Sequence, residues 1–117
     1  MKLTEINRKQ LEIAPSILAA DFNRLGEEVK NTEACGVKIL HFDVMDGHFV
    51  PNISFGVPIL KCLRPTTKMI LDAHLMISHP IDYVESFIKA GADHITFHIE
   101  SESNPDEAIK KIKELGA

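Results

Sequence analysis

Four apolar runs, at 13–18, 38–45, 69–76 and 94–99, recur roughly every 25 to 30 residues with helical segments between them. That beat constrains the fold more than any other feature. Strands separated by helices pair in parallel through right-handed crossovers, so the chain reads as successive βα units. The connecting segments carry helix signals of their own. Asp21 caps a segment with Phe22, Leu25 and Val29 on one face, and residues 57–63 form a shorter candidate. Pro80 suits a first helical position, followed by Ile81, Val84, Phe87 and Ile88 at helical spacing. Asn104, Pro105 and Glu107 make a cap, a first turn and a capping box ahead of the stripe Ala108, Ile109, Ile112 and Leu115. Gly36, Gly91 and Gly116 stand where helices should stop.

Two architectures fit this order, a small doubly wound sheet or part of an eight-fold barrel. No glycine-rich phosphate fingerprint follows the first run, and polar residues collect at the carboxyl ends of several runs, which favours the barrel. There is also an internal echo. Gly36-Val-Lys-Ile-Leu-His-Phe-Asp43 aligns with Gly91-Ala-Asp-His-Ile-Thr-Phe-His98 at an offset of 55 residues. A complete barrel takes about 200 to 250 residues, whereas four βα units use up all 117 residues here. The expected fold class is therefore α/β, of the (β/α)8 TIM-barrel type, with about the first four units present as a single domain over 1–117. Such a half-barrel has two open edges and an uncovered inner face, and is expected to need a C-terminal half or a second copy of itself as partner.

Chemistry concentrates in residues 41–52, H-F-D-V-M-D-G-H-F-V-P-N. Up to Met45 the segment alternates, placing His41, Asp43 and Met45 on one strand face; from Asp46 it carries turn formers. Residues 71–76 repeat the device with Asp72, His74 and Met76. Two histidines and up to two carboxylates converging from neighbouring strands suit a divalent metal, with buried hydrogen-bonded pairs as the competing reading. Asp43 is the most telling, because a carboxylate inside a barrel strand is costly to desolvate without a cation or donor network. Asp72 reads as a solvated strand end or as a carboxylate orienting a neighbouring ligand, and the second is preferred. Met45 and Met76 are ordinary core filler or cavity wall. Ser16 either bonds a substrate oxygen or caps a backbone group. His98 faces the same cavity or is structural. His48, His79 and His94 read as a loop, a helix-start and a strand-edge residue.

The balance of 13 basic to 17 acidic residues, with no basic tract, argues against nucleic acid. The polar first ten residues are unlike a signal peptide, and no apolar run approaches membrane length. Cys35 and Cys62 are expected to be reduced thiols. A cytoplasmic globular protein that leaves membranes alone is the expectation.

The blocks I-A-P-S-I-L-A-A-D-F from Ile13, H-F-D-V-M-D-G-H-F-V-P-N from His41, S-F-G from Ser54, L-D-A-H-L-M from Leu71 and A-G-A-D from Ala90 closely resemble ribulose-phosphate 3-epimerases, in order and with natural spacing. The resemblance implies a metal-dependent (β/α)8-barrel isomerase of the pentose phosphate pathway. Its reaction interconverts D-ribulose 5-phosphate and D-xylulose 5-phosphate through C3 proton abstraction and an enediolate. It implies His41, Asp43 and His74 as ligands of one divalent ion (zinc, iron, manganese or cobalt) and Asp43 also as acid/base. Ser16 and His74 would contact the sugar-phosphate substrate, and Met45 and Met76 would line the cavity. The family's fourth ligand and opposing acid, an aspartate of the seventh strand, and its phosphate-binding loops have no counterpart here. Alternatives are a 3-epimerase of a hexulose 6-phosphate such as allulose 6-phosphate, and a non-catalytic half-barrel that binds metal or a partner chain.

Overall fold

A computed structural model describes residues 2–117. Strands β1 (Ile39–Met45), β2 (Ile70–Met76) and β3 (His94–Phe97) form one parallel sheet in that order. Helices α1 (Leu25–Ala34), α2 (Val57–Leu63), α3 (Val84–Ala90) and α4 (Pro105–Glu114) alternate with them, as the βα beat requires. Among the described residues no helix is long and apolar enough to cross a membrane.

The first expected strand is the exception. Residues 13–18 contribute a single parallel bridge, Ser16 beside His41, in which the His41 N–H donates to the Pro15 carbonyl at 2.8 Å. Pro15 has no N–H with which to extend a ladder. Ser16 then ends the extended path by capping a 3-10 turn, Ile17–Ala19, its Oγ accepting from the Leu18 N–H. The segment occupies a strand's place beside β1 without forming one.

Period-two alternation sorts the sheet's side chains into two layers. Leu40, Phe42, Val44, Leu71, Ala73 and Leu75 are at most 6% exposed and pack against Val29, Leu60, Val84, Phe87 and Ile112 from the helices. Each large side chain so buried contributes about 1.5 to 3 kcal/mol before entropy is counted. The other face carries His41, Asp43, Met45, Asp72, His74 and Met76, all half-buried. The hydrophobic layer thus fixes which way the polar residues point.

Two helical stripes are narrower than expected. Asp21 caps a 3-10 turn, Phe22–Arg24, ahead of α1, so Phe22 is rotated out of the Val29 face and is 55% exposed. In α4, Ala108 and Ile112 are buried four residues apart, while Ile109, a hundred-degree step round the helix, is 43% exposed. Asn104 Oδ1 accepts from both Asp106 and Glu107 N–H groups; among the described residues no return bond from Glu107 completes a box. Gly91 closes α3 at φ +117°, and a Cβ there would lie 2.4 Å from the Arg64 side chain. Arg64 uses that proximity to bond the carbonyls of Gly91, Thr67 and Met69 and the Asp93 carboxylate, tying the end of α3 to the start of β2.

Candidate active site

Parallel pairing in register brings the polar face into rows. Asp43 on β1 stands opposite His74 on β2, and His41 opposite Asp72, which in turn faces His94 on β3. His41, Asp43 and His74 converge: His41 Nε2 lies 3.1 Å from Asp43 Oδ1, His74 Nδ1 lies 3.1 Å from the same oxygen, and the two nitrogens are 3.2 Å apart. Their side chains are between 14% and 23% exposed.

Hydrogen bonding on the far side of His41 defines what this triangle is. Its Nδ1 lies 2.8 Å from Asp72 Oδ2. Burial pushes the Asp72 carboxyl up, but bonds from His94 and His41 outweigh it and leave the group below its ordinary range. An ionised carboxylate only accepts, so Nδ1 carries the proton and Nε2 presents a lone pair. His74 Nε2 is 2.7 Å from His98 Nε2, and donation in that direction leaves His74 Nδ1 a lone pair as well. Two nitrogen lone pairs and a carboxylate oxygen then face one another. Donors bound to one ion at about 2.0 to 2.2 Å lie roughly 3 to 3.6 Å apart, which matches the observed triangle. The residues fit a divalent cation, and the mixed nitrogen and oxygen set does not select among zinc, iron, manganese and cobalt.

Around the triangle, Ser16 caps the backbone, its Oγ accepting from the Leu18 N–H, and donates to Asp43 Oδ2, a carboxylate contact that neither sequence reading named. Met45 and Met76 are register partners at the strand ends, half-buried beside the cluster. His98 stacks on His74 with ring centroids 4.9 Å apart and meets the Phe49 ring at 5.2 Å, which puts it beside the triangle. His48 is an exposed loop residue and His79 an exposed residue at the start of the 3-10 turn Pro80–Asp82, as expected.

Three residues do more than the sequence suggested. His94 is not a bland strand-edge residue: its Nδ1 lies 2.8 Å from Asp72 Oδ1, and that bond raises its pKa against the opposing effect of burial. Ser54 bonds across the strand end, its Oγ donating to the Asp43 carbonyl at 2.6 Å and accepting from the Met45 N–H. Asp46 gathers the N–H groups of His48, Phe49 and Ser78; despite the cost of burial, these hold its pKa at about 2. The turn formers after Met45 signalled the loop but not these ties. A cleft of about 320 Å³ beside Met45, walled by Val44, Ile77, Tyr83 and Phe87, is apolar and does not include the triangle.

A parallel sheet backed by helices on one face, with nitrogen and oxygen donors gathered on the other, defines an α/β protein of the (β/α)-barrel class. Comparison with known proteins narrows this. Residues 12–117 match the description "Ribulose-phosphate 3 epimerase family". Proteins named ribulose-phosphate 3-epimerase from Treponema pallidum, Synechocystis and Bacillus subtilis are 48%, 52% and 49% identical over 92%, 92% and 91% of this chain. The chain belongs to the ribulose-phosphate 3-epimerase family. It spans about half the length of these relatives, 50%, 48% and 49% respectively.

Proposed function

We propose that this chain supplies the metal-binding, proton-abstracting half of an epimerase that interconverts D-ribulose 5-phosphate and D-xylulose 5-phosphate. The observation that carries the reading is the triangle of His41 Nε2, Asp43 Oδ1 and His74 Nδ1, with separations of 3.1 to 3.2 Å. The names and identity of the relatives support the substrate class. His41, Asp43 and His74 hold the ion. When bound, a divalent cation supplies Lewis-acid stabilisation of negative charge on the substrate oxygens.

The chain's own residues do the rest. The C3 proton is α to the C2 ketone, and the Asp43 carboxylate removes it as general base. Ser16 holds the second Asp43 oxygen, fixing the plane of the carboxylate, and its hydroxyl also reaches substrate. Met45 and Met76 wall the cavity and keep water from the reacting carbon. Inversion requires return of a proton to the opposite face, and that donor, with the phosphate-binding loops, comes from the other half of the barrel. A C-terminal half or a second copy of the chain is the partner.

The test is epimerisation of ribulose 5-phosphate by the complete enzyme in deuterated water, followed by proton NMR at C3. Turnover with deuterium incorporation at C3 is expected, with a slower reaction on allulose 6-phosphate. A complete enzyme that turns over neither sugar phosphate overturns the reading.

A further inference from the structure

We propose that His94 is a positioning residue for the metal ligand His41, acting through Asp72; the inference rests on the metal reading above. The three residues form one row across three strands. His41 pairs in register with Asp72, and Asp72 with His94, so all three occupy one level on the same face. The row is bonded end to end: His41 Nδ1 to Asp72 Oδ2 at 2.8 Å and His94 Nδ1 to Asp72 Oδ1 at 2.8 Å. Thr96 Oγ1 adds a longer bond, 3.2 Å, to the same Oδ1.

What His94 does follows from which oxygen it takes. Asp72 has two degrees of freedom that matter to His41: rotation of its carboxylate and choice of oxygen. His94 and Thr96 occupy Oδ1, which leaves Oδ2 aimed at His41 and locks the carboxylate plane. An acceptor so fixed selects the His41 tautomer with the proton on Nδ1 and aims Nε2 at Asp43 and His74. Without the His94 bond the Asp72 carboxylate can rotate about its terminal torsion, and the imidazole loses a fixed reference. The His94 side chain is 37% exposed, so its removal opens no core cavity. His94 also borders Leu3, Ile6 and Ile39, but packing against them needs no ring nitrogen on Asp72. This histidine spends a ring nitrogen on a carboxylate that touches a ligand.

The experiment is Co²⁺ titration of the complete enzyme, read by visible absorption, with Zn²⁺ competition to give affinities. His94→Ala is expected to weaken Co²⁺ binding about tenfold, the lower end of the cost of removing an outer partner of a metal-bound histidine. His94→Gln, whose amide still donates to Asp72, is expected to recover most of the loss. Ring-nitrogen NMR should show His41 protonated at Nδ1 in the parent and a mixture of tautomers in His94→Ala. A purely structural role would lower the melting temperature without moving either readout. Equal Co²⁺ affinity in parent and His94→Ala overturns the proposal and leaves the three-ligand site standing. A folded parent that binds no Co²⁺ overturns the metal reading and the proposal with it. Should His94→Ala fail to fold, His94→Phe, which keeps bulk without a matching donor, takes its place with the same outcomes.

Discussion

Replacing Asp46 by asparagine tests whether the loop after β1 is held by charge. Asp46 Oδ1 accepts from the His48 and Phe49 N–H groups at 2.9 Å each, and Oδ2 accepts from the Ser78 N–H at 2.8 Å. These bonds close the turn after β1 and tie it to the loop after β2. They hold the carboxyl at about 2 against its ordinary 3.8, despite the opposing cost of burial. That gap corresponds to about 2.4 kcal/mol at 1.36 kcal/mol per pH unit. Partial exposure and solvent screening reduce the expected figure to about 1 to 2 kcal/mol. The sign follows from the direction of the shift. A carboxyl depressed in the folded state stabilises it fully above the unfolded value of 3.8, and that stability is lost as pH falls toward 2. Urea unfolding of parent and Asp46→Asn, followed by circular dichroism, should show the full gap at neutral pH. About half of the charge-dependent part should be gone by pH 3. A gap that stays constant between neutral pH and pH 3 would refute the argument, because the bonds would then owe nothing to ionisation.

Metal content of the complete protein should fall in His41→Ala and His74→Ala, since each removes one corner of the triangle; elemental analysis showing parental levels in both would remove these residues from the site. Asp43→Asn should keep its fold and metal-free circular dichroism but lose roughly 10²- to 10⁴-fold in epimerase activity, and activity within a factor of two of the parent would exclude Asp43 as the base. Gly91→Ala should cost about 2 to 4 kcal/mol in thermal or urea unfolding, from positive-φ strain together with displacement of Arg64 from its bonds. A loss below half a kilocalorie there would mean that the α3 end relaxes freely.

Where a sequence signal lay within one segment, it was readable. Alternation along residues 38–45 placed His41 and Asp43 on one face, and the same rule placed Asp72 and His74. Their convergence on one point follows once the strands are parallel and adjacent. What escaped were relations set by register between strands. His94 has no carboxylate two residues away, so spacing marked it as a bland edge residue; its partner Asp72 lies across the sheet, at the same level only because β2 and β3 pair as they do. The first expected strand fails for a local reason. Residues 13–18 look extended and apolar, but Pro15 removes the donor and Ser16 offers its hydroxyl to Leu18, and two local preferences defeat a ladder that hydrophobicity alone predicts. Phe22 leaves the expected stripe because a tight turn, not the α-helix itself, follows Asp21.

The triangle of lone pairs at 3.1 to 3.2 Å has a consequence for how the folded state responds to its surroundings. Three electron-rich atoms that close repel, and the unfolded chain, with His41 and Asp43 separated from His74 by a long flexible stretch, feels none of it. A cation seated among them therefore acts by mass action on the native state alone. At a free concentration a hundred times its Kd it adds about 2.7 kcal/mol to stability, and each further tenfold adds about 1.4. On the proposed metal reading, the melting temperature would become a gauge of free metal ion, and a chelator would lower it without touching a single apolar contact.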